Sequence, residues 1–186
     1  MKKEALESLE SYREELRRFS KMESSLRYHA IPVQSGVHRI GLDFHGVITA
    51  SPVFLAAQAK KLMESGHEVH IMTGSRYDEG TDAMLGEYGF VRGVHYSHFF
   101  SITDHLISTG EEVSFRHGLP FADTLLWNSA KGEYAILNHI ECLWDDSPAY
   151  GRYMPTTCWY FTFSTENFED QLHQVLNGGR PKVGRT

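Results

Sequence analysis

The sequence predicts an α/β fold, a three-layer, mostly parallel Rossmann-like sheet with helices on both faces. Three observations predict it. From Val37 onward, short apolar runs alternate with amphipathic stretches, the pattern of a parallel sheet whose connections are helices. Polar residues able to do chemistry stand directly after several of the apolar runs, where open α/β sheets bind ligands. At 186 residues, 41% apolar and 23% charged, the chain suits one domain with a sizeable core.

Residues Lys2 to Tyr28 contain no Gly or Pro, and Leu9, Tyr12, Leu16, Phe19 and Leu26 recur at helical spacings, predicting an N-terminal amphipathic helix within residues 1–30. Docking on its own domain is the first reading of that helix, and a homo-oligomer formed through it is the second. Pro32 and Gly36 break the pattern before the main domain, residues 37–177. There the first strand is expected over Val37–Phe44, and Pro52 opens a helix from about Val53 to Ser65 that Gly66 stops. A second strand (Glu68–Met72), a second helix (Asp78–Tyr88) and a short third strand (Val91–Tyr96) follow. Between Ser97 and Trp127 the pattern supports a helix at Ile102–Ser108, an extended stretch at Glu112–Phe115 and a turn at Gly118-Leu119-Pro120. Helix returns over Ala130–Asn138, which puts Lys131 at a helix start. Strands at Ile140–Trp144 and Cys158–Phe163, a helix from Glu166 to Leu176 and a tail over 178–186 complete the chain.

A net charge of −6 argues against a uniformly basic nucleic-acid-binding surface. The N-terminus has no apolar signal region, and no stretch approaches the roughly 18 apolar residues of a membrane span, so a cytoplasmic protein without a membrane partner is expected. Cys142 and Cys158 lie in apolar strand-like runs and are expected as buried thiols. The His-x-x-His pairs His67/His70 and His95/His98 lack the context of a zinc motif and read as strand-end packing.

Four segments carry candidate chemistry. They are Asp43-Phe44-His45-Gly46-Val47-Ile48-Thr49, then Thr73-Gly74-Ser75-Arg76, then Lys131, and finally Leu143-Trp144-Asp145-Asp146. Singly each is weak: an Asp closing a strand also serves turns, and a lone Lys is usually a surface residue. In this order and strand context the set resembles the haloacid dehalogenase-like (HAD) superfamily over about Val37 to Phe163, and is similar to small HAD-like proteins of bacteriophages. The resemblance implies a small or absent cap and a Mg²⁺-dependent phosphatase working through an aspartyl-phosphate on Asp43. It assigns Asp43, the backbone carbonyl of His45 and Asp146, with Asp145 as the alternative, to the metal. Thr73, with Gly74 beside it, would hold the transferring phosphoryl group, Lys131 would neutralise its charge, and Arg76 would be a further phosphate contact.

His45 departs from the family pattern, which usually has a second Asp there as acid and base. Imidazole can make both proton transfers near neutral pH. The departure keeps two other readings open: a HAD-type hydrolase of a substrate other than a phosphate ester, and a catalytically weak binding or regulatory protein. Residues 97–127, with Phe99, Phe100, His105, Arg116, His117 and Trp127, form either a small lid or a packed connector. As an aromatic and basic wall they would suit a small phosphorylated substrate such as a nucleotide, which makes a nucleotidase the narrower expectation.

Overall fold

A computed structural model describes residues 36–178, and the readings of an N-terminal helix and of a tail beyond Gly178 lie outside the described residues. The alternation of apolar runs and amphipathic stretches folds as predicted, into a five-stranded parallel sheet flanked by helices. β1 (Arg39–Leu42) leads through a tight turn over Phe44–Ile48 to α1 (Pro52–Glu64). Pro at the first helical turn costs no hydrogen bond there, and Leu55, Ala59 and Leu62 form the buried stripe of α1. Then come β2 (Glu68–Thr73), α2 (Thr81–Glu87), β3 (His98–Ser101) and α3 (Ile102–Ser108). The strands β4 (Ser114–Arg116) and β5 (Leu119–Phe121) pair as a separate antiparallel hairpin. The chain continues through α4 (Thr124–Leu137), β6 (Cys142–Asp145), α5 (Pro148–Gly151), β7 (Trp159–Thr162) and α6 (Thr165–Leu176).

The strand order is β3-β2-β1-β6-β7. The chain winds outward from β1 to one side and then crosses over to the other, so β1 and β6 flank the point where the order reverses. Period-two side chains give the sheet two faces. Ile40, Leu42, Val69, Ile71, Cys142 and Trp144 build one core with α1 and α6, whereas Met72, Phe100 and Leu143 build the other with α3 and α4. Gly41 lies between Met72 and Leu143, and a Cβ on it would come within 2.7 Å of the Met72 sulfur. Both cysteines are buried free thiols, as their apolar runs predicted. No helix among the described residues is long and apolar enough to cross a membrane.

The structure moves three elements. The third strand is His98–Ser101 rather than Val91–Tyr96. Gly93, at φ +79°, turns the earlier stretch back on itself, leaving Val91 and Val94 exposed, while His98 to Ser101 bond to His70 to Thr73. The helix expected from Ala130 begins instead at Thr124, because the Asp123 carboxylate accepts from the backbone N–H groups of Leu125 (2.9 Å) and Leu126 (3.2 Å) and caps it there. Lys131 therefore sits inside a helix and not at its start. The turn expected at Gly118-Leu119-Pro120 is shifted back onto His117 and Gly118, whose positive φ angles reverse the chain, and Leu119 and Pro120 belong to β5.

Candidate functional site

At the carboxyl end of the sheet, one aspartate directly follows β1 and another closes β6. Asp43 follows Leu42, its N–H bonded to the Trp144 carbonyl at 2.9 Å, and Asp145 is the last residue of β6. Asp43 shares the strand parity of Gly41 and Asp145 that of Leu143, so both belong to the face covered by α4. From α4 the Lys131 ammonium reaches both, 2.7 Å from Asp43 Oδ1 and 2.6 Å from Asp145 Oδ2. All three are withdrawn from water, with exposures of 6% for Asp43, 1% for Lys131 and 0% for Asp145. Such a group is stable only when fully paired. The second Asp145 oxygen accepts from the Ser147 N–H at 2.9 Å, and Lys131 Nζ lies 4.5 Å from the centre of the Tyr150 ring.

The charges do not balance. Two buried carboxylates share one ammonium, and Asp146 adds a third, exposed carboxylate whose ligand oxygen lies with those of Asp43 and Asp145 within 4.8 Å of one another. Burial pushes the Asp43 carboxyl up to about 6, reinforced by Asp145 and opposed by Lys131. For Lys131, burial alone would favour the neutral amine, but the two facing carboxylates outweigh it and raise its pKa. Surplus negative charge from oxygen donors on adjoining strand ends is a donor set that fits a hard divalent cation. Gly46 makes the approach of Asp146 possible: with φ +74°, a Cβ there would stand 2.1 Å from Asp146 Oδ2. The Gly46 N–H donates to Thr49 Oγ1 at 3.0 Å, closing the turn around the space that Asp146 enters.

His45 leaves the same turn in extended conformation and is exposed, with Nε2 2.8 Å from Ser75 Oγ in the loop after β2. Partial desolvation of the ring by its neighbours lowers its pKa, Asp146 opposes that and Lys131 adds to it. Thr73 closes β2 fully buried, its Oγ1 accepting from the Ser75 N–H at 3.3 Å. The Gly74 carbonyl accepts from Thr103 Oγ1 at 2.6 Å, and a Cβ on Gly74 would lie 2.8 Å from the Trp127 ring. The glycine lets the indole lie against the loop.

Asp43, Lys131, Asp145 and Asp146 are thus drawn together, and His45 is tied to the Thr73–Ser75 loop. Arg76 is not joined to this group: its guanidinium pairs with Asp104 at 3.0 Å, and Asp104 also accepts from the Tyr77 N–H at 2.7 Å. Sequence reasoning missed Tyr150 and gave Ser75 no role within its segment. The Tyr150 hydroxyl accepts from Trp127 Nε1 at 3.0 Å while its ring faces Lys131, linking the aromatic wall to the buried charges. Nothing in the sequence marks it, because it lies on α5, a one-turn helix after the Asp145-Asp146-Ser147 turn.

Fold and site together define the class: an α/β protein with an acidic, lysine-buttressed cluster at the reversal point of a parallel sheet. No protein family, curated protein or solved structure matches the chain.

Proposed function

We propose that the chain is a HAD-type, Mg²⁺-dependent phosphomonoesterase with Asp43 as its nucleophile, acting on a small phosphorylated substrate, with a nucleotide as the first candidate. The observation that carries this reading is the buried Asp43–Lys131–Asp145 group, with 2.7 and 2.6 Å contacts, at the carboxyl ends of the two strands where the sheet order reverses. A lysine wholly buried between two strand-end carboxylates has a clear use in holding one of them in line for attack on a phosphorus centre.

In this reading an Asp43 carboxylate oxygen forms the new P–O bond as the bond to the leaving oxygen breaks. Protonated His45 gives that oxygen its proton, then as neutral imidazole takes one from the water that attacks the aspartyl-phosphate. Phosphate leaves and the Asp43 carboxylate is regenerated. The His45–Ser75 hydrogen bond would steady the imidazole beside the loop that carries Thr73. Thr73 and the backbone beside it would bind the phosphoryl oxygens. Mg²⁺, when bound, would offset the repulsion between a carboxylate and a phosphate. Asp43, Asp146 and the His45 backbone carbonyl would hold it. Asp145 ranks behind Asp146 because its oxygens already serve Lys131 and Ser147. Trp127 and Tyr150, hydrogen-bonded to each other beside Lys131, would offer a nucleobase an aromatic surface.

The test is phosphate release from a panel of nucleoside monophosphates and sugar phosphates, with Mg²⁺ or with chelator, for wild type, Asp43→Asn and His45→Ala. Metal-dependent turnover that Asp43→Asn reduces by about three orders of magnitude or more is expected. Turnover indifferent to Asp43, or none on any substrate despite Mg²⁺ binding, would overturn it.

A further inference from the structure

At the opposite end of the sheet, one histidine from each His-x-x-His pair comes together. His70 on β2 and His98 on β3 are direct partners in the parallel register, and Glu68, two residues before His70, shares its face. The two imidazoles lie side by side with centroids 4.5 Å apart and planes 30° apart. Both present Nε2 to one oxygen, with Glu68 Oε2 3.3 Å from His70 and 3.8 Å from His98.

The His70–Glu68 contact is a long hydrogen bond and the His98–Glu68 contact lies beyond hydrogen-bond range, and both separations suit two ligands of one ion. Zinc–nitrogen and zinc–oxygen bonds of about 2.1 Å in a tetrahedron set ligand atoms about 3.4 Å apart. The surroundings match as well. The other His70 nitrogen, Nδ1, is 2.8 Å from the Tyr134 hydroxyl, the kind of partner that fixes ring orientation in metal-ligating histidines. Arg39 Nε donates to Glu68 Oε2 at 3.0 Å, orienting the carboxylate and leaving its second oxygen unclaimed among the described residues. His98 is exposed, so an ion can enter and keep solvent or a further ligand in its fourth position.

We propose that Glu68, His70 and His98 form a second metal site, selective for a borderline transition-metal ion such as Zn²⁺ over Mg²⁺, which pins β2, β3 and α4 together at the amino end of the sheet. Two imidazoles and one carboxylate suit zinc, whereas the three carboxylates at the other end suit a hard cation. The site is independent of the phosphatase reading. Glu68 and Thr73 lie at opposite ends of one strand, about 16 Å apart at the usual rise.

The test uses the untagged full chain, freed of metal by chelator, then titrated with Co²⁺ for its visible absorption and with Zn²⁺ by calorimetry. Wild type and the variants His98→Ala, Glu68→Gln and Asp146→Asn would be compared, with folding checked by circular dichroism. One saturable site is expected in wild type and Asp146→Asn, with affinity down about tenfold or more in His98→Ala and Glu68→Gln. Zn²⁺ should raise Tm in wild type and not in His98→Ala, and excess Mg²⁺ should not displace Co²⁺. Absence of saturable binding, equal affinity in wild type and His98→Ala, or loss of binding in Asp146→Asn alone would overturn the proposal.

Discussion

The two ends of the sheet solve the burial of charge in opposite ways. At the carboxyl end, Asp43, Asp145 and Lys131 are sealed from solvent and tied by contacts of 2.6 and 2.7 Å. At the amino end, Glu68, His70 and His98 are looser, with separations of 3.3 and 3.8 Å, and His98 stands in water. One helix serves both: Lys131 of α4 points its charge to the carboxyl end, and Tyr134, one turn later, meets His70. The difference teaches that tightness follows the dielectric. A dry site must be fully paired to exist, while a site open on one side tolerates partners at the edge of contact.

Lys131→Met should test the contrast hardest. Two buried carboxylates would lose their common cation, at an expected cost of about 3–5 kcal/mol by urea unfolding. A loss below about 1 kcal/mol would mean that the carboxyl end is not held by its charges. Exposed His98→Ala, by contrast, should stay within about 0.5 kcal/mol of wild type in chelator.

Gly46→Ala should be next. A Cβ there meets the Asp146 carboxylate at 2.1 Å in a turn at φ +74°, whereas Gly66, at φ +83°, has nothing within 4 Å. Both alanine variants carry the backbone cost of about 1 kcal/mol, and only Gly46→Ala should also weaken Mg²⁺ binding in a calorimetric titration. Equal Mg²⁺ affinity in the two variants would show that Asp146 does not need the Gly46 approach.

In metal-free protein the ends should respond to pH with opposite sign. Asp43, raised to about 6 by burial, binds its proton more tightly folded than unfolded, so its contribution to stability is lost as pH rises from about 4 to 6. His70 is pushed down to about 4 by burial and by neighbouring His98, with Glu68 opposing. Its contribution is lost as pH falls from 6.5 toward 4. Unfolding free energies measured across that range in chelator should lose the first trend in Asp43→Asn and the second in His70→Gln. A variant that keeps wild-type pH dependence would remove its end from the comparison.

A modest effect is expected for Tyr134→Phe, which takes one hydrogen bond from His70 and should cost about 1 kcal/mol in thermal unfolding. Its Zn²⁺ affinity should fall about tenfold, and unchanged affinity would dissociate Tyr134 from the amino-end cluster.

The carboxyl end was legible because its residues follow directly on apolar runs: Asp43 after Leu42, Thr73 closing Val69–Met72, and Asp145-Asp146 after Leu143-Trp144. The amino end was not. His70 and His98 were each read with a sequence neighbour, His67 and His95, and a strand shifted from Val91–Tyr96 to His98–Ser101 hid their true pairing. The Arg76–Asp104 ion pair was hidden for a similar reason, since Asp104 lies 28 residues away and no local pattern ties the two. The early start of α4 was in principle readable from Asp123, a good N-cap residue, but the aromatic and polar stretch Leu126–Ser129 masks the helical period.

By itself the sequence determined the alternation of strands and helices, the parallel sheet, and the residues at its strand ends, because these depend on periodicity and on what immediately follows each strand. Only the tertiary structure decided strand order, the seating of Lys131 between two aspartates, the place Gly46 leaves for Asp146, and the meeting of Glu68, His70 and His98. Each of these is a contact between segments far apart in sequence, set by register and packing across the sheet, and local pattern carries no record of them.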